Sequence, residues 1–188
     1  MTIFQIVLLA ISAFFAYRVY EHVQGLQDPV AKNDVPSSGF DAQSLVEQAD
    51  EAFEANDMQK AVELLSEAAT KKPNDSEILF KTGYILQKQN NNTEALKYYK
   101  EALSLDKENE FIHNSIASVY RANGEFVSAK IHLDDSLALD NKNKITYYNY
   151  GNLLVDMQKA DEAKEMYKKA LEIDPDFKEA SDELVKLT

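Results

Sequence analysis

Apolar residues recur three, four and seven positions apart through most of the chain, from residue 42 to residue 187. This spacing collects apolar side chains on one face and is typical of amphipathic α-helices. Short polar segments interrupt the pattern and indicate turns at residues 55–57, 89–92, 122–124 and 157–159. The pattern therefore predicts an all-α chain with eight helices, followed by a ninth over residues 177–187.

The helical pattern repeats every 34 residues. Its markers are four alanines, Ala61, Ala95, Ala129 and Ala163. One helical turn later stand larger residues, Leu65, Tyr99, Leu133 and Tyr167. Small residues recur at the eighth position of each unit, namely Ala49, Gly83, Ala117 and Gly151. A period of this length indicates stacked helix–turn–helix units, because each unit alone cannot bury its apolar face. The four units begin at Ala42, Ser76, Glu110 and Lys144.

The unit resembles the tetratricopeptide repeat, whose pattern runs W-x₂-L-G-x₂-Y, then A-x₃-F, then P. The fourth unit matches it best, through Tyr147, Tyr150, Gly151, Leu154, Ala163, Tyr167 and Pro175. The second unit follows, through Leu79, Thr82, Gly83, Leu86, Ala95 and Tyr99. The first unit is the weakest, with Ala52 where a large residue is usual. The resemblance covers residues 42–175, which is most of the chain.

The resemblance implies a right-handed α-solenoid of four units, at residues 42–75, 76–109, 110–143 and 144–177. A capping helix over residues 177–188 follows, with a polar outer face that keeps the end of the solenoid soluble. Solenoids of this kind bind other proteins on an extended concave face and rarely carry out chemistry. We therefore expect a protein or peptide partner and no enzymatic activity.

The N-terminal segment differs from the repeats, because Ile3 to Tyr17 is almost wholly apolar and no charged residue precedes Arg18. This predicts a single-pass transmembrane anchor over residues 1–23. A cleaved secretory signal is the alternative, although the segment lacks a basic start and a convincing A-x-A site. A helix that packs on the solenoid or on another protein is a further alternative.

Residues 24–41 contain Gly25, Pro29 and Pro36, and we interpret them as a flexible linker between anchor and repeats. The nearest basic residues, Arg18 and Lys32, lie on the C-terminal side of the apolar run. Because positive residues favour the cytoplasmic side of a membrane, the repeats are expected to be cytoplasmic.

The chain is acidic, with a formal net charge of −12 over 188 residues. This argues against a nucleic-acid partner, since phosphate binding requires clustered Lys and Arg. The acidic residues form a solvated surface or favour basic segments of a partner. The chain has no cysteine, and disulfides and thiol chemistry are therefore excluded.

No catalytic or cofactor motif is present, and neither a small-molecule substrate nor a cofactor is expected. The histidines are His22, His113 and His132, of which the last two fall in the two helices of unit three. They could approach each other, but the sequence indicates no third ligand, and a metal site is not expected. The adjacent carboxylates Asp134 and Asp135 are interpreted as solvated surface.

The resemblance places the binding groove along the first helix of each unit, at its second, fifth, ninth and twelfth positions. Aromatic side chains there offer large contact area at low entropic cost, asparagines can pair with a peptide backbone, and an arginine can hold a carboxylate. The alternative is that the aromatics pack between neighbouring helices. The candidate groove residues are Phe53, Phe80, Tyr84, Phe111, Asn114, Arg121, Tyr148 and Asn152.

Relatives that bind chaperone tails clamp a C-terminal carboxylate with Lys and Asn, and this chain has Val46 and Asp50 at those places. Binding of chaperone tails is therefore not expected. The sequence favours a membrane-tethered adaptor or assembly factor that holds a partner segment in its groove. Two alternatives stay open: a structural subunit of a membrane complex that uses the convex face or the anchor, and an externally facing biogenesis chaperone.

Overall fold

A computed structural model of the chain describes residues 41–187, which form nine α-helices and contain no strand. In chain order the helices are α1 (Ala42–Glu54), α2 (Met58–Lys71), α3 (Ser76–Lys88), α4 (Asn92–Leu105), α5 (Glu110–Ala122), α6 (Phe126–Leu139), α7 (Lys144–Asp156), α8 (Ala160–Ile173) and α9 (Lys178–Lys186). The prediction of an all-α chain with eight helices and a ninth is confirmed.

The predicted transmembrane segment, residues 1–23, lies outside the described residues, as does the predicted linker up to residue 40. Among residues 41–187, no helix combines the length and the apolar character that crossing a membrane requires.

Short polar side chains begin most of the helices. Asp41, Asp57 and Asp75 each accept a hydrogen bond from the backbone N–H three residues later, at 2.7, 3.1 and 3.0 Å. The side chains of Asn91, Asn109 and Asn143 also cap α4, α5 and α7, by accepting hydrogen bonds from backbone N–H groups two or three residues later. These oxygens satisfy N–H groups that have no partner within the helix, and they fix where each helix begins.

The turn inside each hairpin contains one residue with positive φ. These residues are Asn56, Asn90, Gly124 and Gln158, with φ of 61°, 62°, 78° and 61°. Glycine adopts this conformation freely and asparagine tolerates it, whereas glutamine has no such tolerance. Gln158 is therefore the residue in this series that least suits its backbone.

The helices pack as four hairpins, α1 with α2, α3 with α4, α5 with α6 and α7 with α8. Each hairpin packs on the next, and α9 packs on α8 as the cap. The four marker alanines are fully buried at the centres of these hairpins. The bulky residues one turn later are buried too, including Tyr99 and Tyr167.

Two of the hairpins depend on a glycine facing a tyrosine ring. A Cβ atom added at Gly83 would lie 2.8 Å from the ring of Tyr99, and one at Gly151 would lie closer still to the ring of Tyr167. The first and third hairpins have alanine and leucine at the same places. The small residue at the eighth position is therefore matched to the size of the side chain that faces it.

Candidate peptide-binding groove

The first helices of all four repeats line one cleft of about 910 Å³, which we call the groove. Its lining residues are Asp50, Phe53, Glu77, Phe80, Lys81, Tyr84, Ile85, Gln87, Lys88, Asn90, Phe111, Asn114, Ser115, Ser118, Ile145 and Asn149. Five of the eight candidate residues are among them: Phe53, Phe80, Tyr84, Phe111 and Asn114. Helices α1, α3, α5 and α7 contribute all of this lining except Asn90, which follows α3.

An aromatic surface runs along the groove from the first to the third repeat. The rings of Phe53 and Tyr84 lie 5.5 Å apart, and the ring of Phe80 packs on buried Tyr99 at 5.7 Å. Tyr84 is 38% exposed and Phe111 is 54% exposed. Large side chains this open to solvent contribute little to the fold and remain available for contact with a partner.

A second cleft of about 400 Å³ continues the groove at one side, sharing Glu77, Phe80 and Phe111 with it. Asp75 and Asp106 also line this second cleft, which contains no basic residue. Lys72 contacts Asp75 at 2.6 Å from outside the lining. Together with hydrogen bonds, the Lys72 ammonium holds the pKa of Asp75 below its usual value, against the opposing effect of burial. The lining of this second cleft therefore contains three carboxylates, of which Asp75 is paired with Lys72.

Asn114 lines the groove, but its amide is engaged within the protein. The side chain is 5% exposed, and its amide nitrogen donates to Ser136 Oγ at 2.8 Å and to Thr146 Oγ1 at 2.6 Å. Its Oδ1 accepts a hydrogen bond from the amide nitrogen of Asn149 at 3.2 Å. This network joins α5, α6 and α7, and it accounts for the asparagine without a ligand.

The other three candidate residues lie outside the groove lining. Tyr148 packs on Phe177 and Tyr167, with ring centroids 5.3 and 6.0 Å away. Asn152 Oδ1 accepts a hydrogen bond from the Tyr167 hydroxyl at 2.8 Å. Arg121 donates a hydrogen bond through one guanidinium nitrogen to Asp156 Oδ2 at 2.6 Å.

Some groove residues were not among the sequence candidates. Lys81 pairs with Asp50 at 2.6 Å, and Lys88 lies over the ring of Tyr84 at 5.1 Å. Asn149 and Ser115 line the same cleft. These residues directly follow the fifth or twelfth position of their first helix. A prediction that included the residues beside the second, fifth, ninth and twelfth positions would have found them.

The structure also brings the two repeat histidines together. His113 Nδ1 and His132 Nδ1 are 3.1 Å apart, and the carboxylate of Asp135 lies 3.6 Å from His113 Nδ1. The predicted approach of the two histidines is confirmed, and Asp135 supplies a third group that the sequence did not indicate. This cluster lies outside the groove lining.

The comparisons with known proteins agree on one architecture. Models of the tetratricopeptide repeat match residues 46–110 and 146–177. No curated protein sequence matches the chain. Among solved structures, MamA is 23% identical with a TM-score of 0.64, over 74% of this chain and 81% of that one.

Two further solved structures have been described with peptides or peptide-binding sites. YrrB, a TPR protein with an unusual peptide-binding site, is 18% identical with a TM-score of 0.64, over 75% of this chain and 73% of that one. The first TPR of Spaghetti (RPAP3) bound to an HSP90 peptide is 28% identical with a TM-score of 0.56, over 60% of this chain and 89% of that one. The family matches span just over half of the 188 residues, and the chain belongs to the tetratricopeptide repeat family.

Proposed function

We propose that the groove holds a segment of a partner protein and that the chain acts as an adaptor or assembly factor. The observation that carries this proposal is the row of aromatic side chains that opens into one cleft across three repeats. An interaction scaffold is typical of this fold, in which repeats stack into an extended binding surface.

The exposed rings define what the partner segment offers. Tyr84 and Phe111 present apolar faces, and burying such rings on a partner supplies a large part of the binding free energy in many complexes. Ser115, Ser118 and Asn149 add polar groups along the same cleft. A segment with apolar side chains and an accessible backbone fits this combination of surfaces.

The charges of the groove favour a basic residue at one end of that segment. Glu77, whose side chain is 61% exposed, lines both clefts, and Asp75 and Asp106 lie beside it. Lys81 Nζ contacts both Asp50 at 2.6 Å and Glu77 at 3.7 Å, and these three groups together are net negative. Complementary charge fixes the direction of a bound segment and speeds its association.

The relative bound to an HSP90 peptide is a useful contrast. The family resemblance implies that Val46 and Asp50 stand where a carboxylate clamp would have Lys and Asn. Val46 is buried and apolar, and Asp50 is an acid that pairs with Lys81, so neither residue can bind a carboxylate. We therefore propose an internal apolar and basic segment as the ligand, in place of a chaperone C-terminus.

The test is cross-linking in intact cells followed by co-purification, comparing the wild type with Tyr84→Ala/Phe111→Ala. Both rings are exposed, and the double variant should keep its helical circular dichroism and its melting temperature. The matched control is Val127→Ala/Ile131→Ala, which removes apolar groups that are 76% and 55% exposed on α6, outside the groove lining.

We expect one partner to be lost from the groove variant and retained by the control. The partner's segment should then bind the purified groove variant roughly 10-fold to 100-fold more weakly than the wild type, as expected for two aromatic anchors. If the control variant loses the partner and the groove variant keeps it, the result would favour a structural subunit that uses the face of α6 outside the groove. Asn114→Ala and Asn152→Ala are unsuitable probes, because they break hydrogen bonds within the fold.

We further propose that residues 1–23 anchor the chain in a membrane, with the repeats on the cytoplasmic side. The support is the apolar run from Ile3 to Tyr17 and the basic residues that follow it. Resistance to carbonate extraction should disappear when residues 2–23 are deleted. Because the chain has no cysteine, Ser37→Cys reports orientation by labelling with an impermeant maleimide. Labelling from outside intact cells would favour the external biogenesis chaperone.

A further inference from the structure

Three groups that bind metal ions converge between the two helices of the third repeat. His113 comes from α5, whereas His132 and Asp135 lie three residues apart on α6 and share one face of that helix. The three potential ligand atoms all lie within 4.8 Å of one another. No other group of three or more His, Asp or Glu side chains within residues 41–187 meets this spacing.

The distances within the cluster suit a four-coordinate ion. Two ligand atoms bound to tetrahedral zinc at about 2.0–2.1 Å are separated by roughly 3.3 Å. The two Nδ1 atoms are 3.1 Å apart, and Asp135 Oδ2 is 3.6 Å from His113 Nδ1. Two of the three separations therefore lie within a few tenths of an ångström of those in a tetrahedral zinc site.

The protonation of the cluster also favours a metal. For two Nδ1 atoms to lie in hydrogen-bond contact, at least one must be an unprotonated acceptor, which is the form that ligates metals. Asp135 is exposed, which leaves a path for the ion and a place for water as the fourth ligand.

Two neighbouring side chains act on the cluster: Tyr120 packs on the ring of His132, and Lys100 places a positive charge nearby. Tyr120 stacks on His132 with centroids 5.7 Å apart and an angle of 21° between the rings. The ammonium group of Lys100 lies over the ring of Tyr120, 5.4 Å from its centroid. Its positive charge lies beside the cluster and acts against a bound metal ion.

We propose that His113, His132 and Asp135 bind one divalent transition metal ion of the zinc class. The ion joins α5 to α6 within the third repeat and leaves one coordination position to water. Imidazole and carboxylate ligands together suit Zn²⁺, and Co²⁺ can replace it as a spectroscopic probe. This site is independent of the groove and of the function proposed for it.

The test uses the full-length chain without a polyhistidine tag, stripped of metal and titrated with ZnCl₂ by calorimetry. We expect one ion per chain and a rise in melting temperature, because an ion that binds the folded state stabilises it. Titration with CoCl₂ should give the strong visible absorption of a four-coordinate site.

Matched variants locate the ion. His132→Gln and Asp135→Asn should each weaken zinc binding roughly tenfold or more, since even indirect supports of metal ligands have effects of this size. The control His22→Gln removes a histidine outside the repeats, and the control Asp134→Asn removes the carboxylate next to Asp135 in the sequence. Both controls should bind zinc as tightly as the wild type does. Lys100→Gln should bind zinc more tightly, because it removes a nearby positive charge.

Because Asp135 is exposed, its variant tests the site even if a histidine variant is unfolded. Three results would overturn the proposal. These are an absence of 1:1 binding by the wild type, unchanged affinity in both His132→Gln and Asp135→Asn, and loss of binding in His22→Gln.

Discussion

The second and fourth repeats have the same internal construction, yet their first helices expose different surfaces. In both, a glycine faces a buried tyrosine ring, Gly83 with Tyr99 and Gly151 with Tyr167. In both, an aromatic residue packs on that tyrosine, Phe80 at 5.7 Å and Tyr148 at 6.0 Å. The two repeats differ in what lies on the other side of Phe80 and of Tyr148. Phe80 opens into the groove, whereas Tyr148 meets Phe177, which precedes the capping helix.

This comparison shows that a repeat position acquires its role from the element packed next to it. After the second repeat comes another first helix, and the space between the two helices forms part of the groove. After the fourth repeat comes the cap, and Phe177 covers the equivalent aromatic side chain. The groove therefore belongs mainly to the first three repeats, and the fourth repeat closes it.

The largest effect is expected from a matched pair of phenylalanine substitutions. Phe177 is 8% exposed and Phe111 is 54% exposed. Phe177→Ala should lower the free energy of unfolding by about 3–5 kcal/mol, because it removes a buried ring from beneath the cap. Phe111→Ala should change stability by less than about 0.5 kcal/mol, as for other exposed positions. Urea denaturation followed by circular dichroism measures both, and similar losses in the two variants would contradict the comparison.

The next effect concerns the glycine of the fourth repeat. Gly151→Ala adds a Cβ atom against the ring of Tyr167 and should lower the free energy of unfolding by about 1–3 kcal/mol. Adding Tyr167→Leu restores the alanine–leucine pairing of the third repeat, at Ala117 and Leu133, and should recover part of that loss. The measurement is a double-mutant cycle in urea, with Tyr167→Leu alone as the fourth state. Strictly additive losses would show that ring contact does not require the glycine.

The smallest effect concerns a turn. Gln158 has φ of 61°, and its counterpart in the second repeat, Asn90, has φ of 62°. Gln158→Gly should raise the free energy of unfolding by about 0.5–1 kcal/mol, because glycine adopts this conformation without strain. Asn90→Gly should change stability less, since asparagine already tolerates positive φ. Thermal melts of both variants test this order, and a larger gain at Asn90 would reverse it.

Most of the fold followed from the sequence, because its signals are local. The buried alanines and the helical periodicity recur in every unit, and they predict the nine helices directly. Phe53, Phe80, Tyr84 and Phe111 line one cleft, since neighbouring first helices present the same helical face. Here the repeat itself supplies the long-range information that a single sequence usually lacks.

The partners of individual side chains did not follow, because they come from positions that do not repeat. Arg121 meets Asp156, and Asn114 is enclosed by hydroxyls from α6 and α7. Asp135 lies one turn along α6 from His132 and completes the histidine cluster, although its sequence context predicts a solvated carboxylate. Such contacts depend on which side chains face each other, and helical periodicity does not specify that.

Site-specific photo-crosslinking can show whether a partner segment lies in the groove. The photoreactive residue benzoylphenylalanine replaces Tyr84, Phe111 or, as the control, Val127 on α6, in otherwise unchanged full-length chains. We expect positions 84 and 111 to give adducts with the same short segment of one partner, and position 127 to give none. Adducts at position 127 together with none at positions 84 and 111 would contradict it.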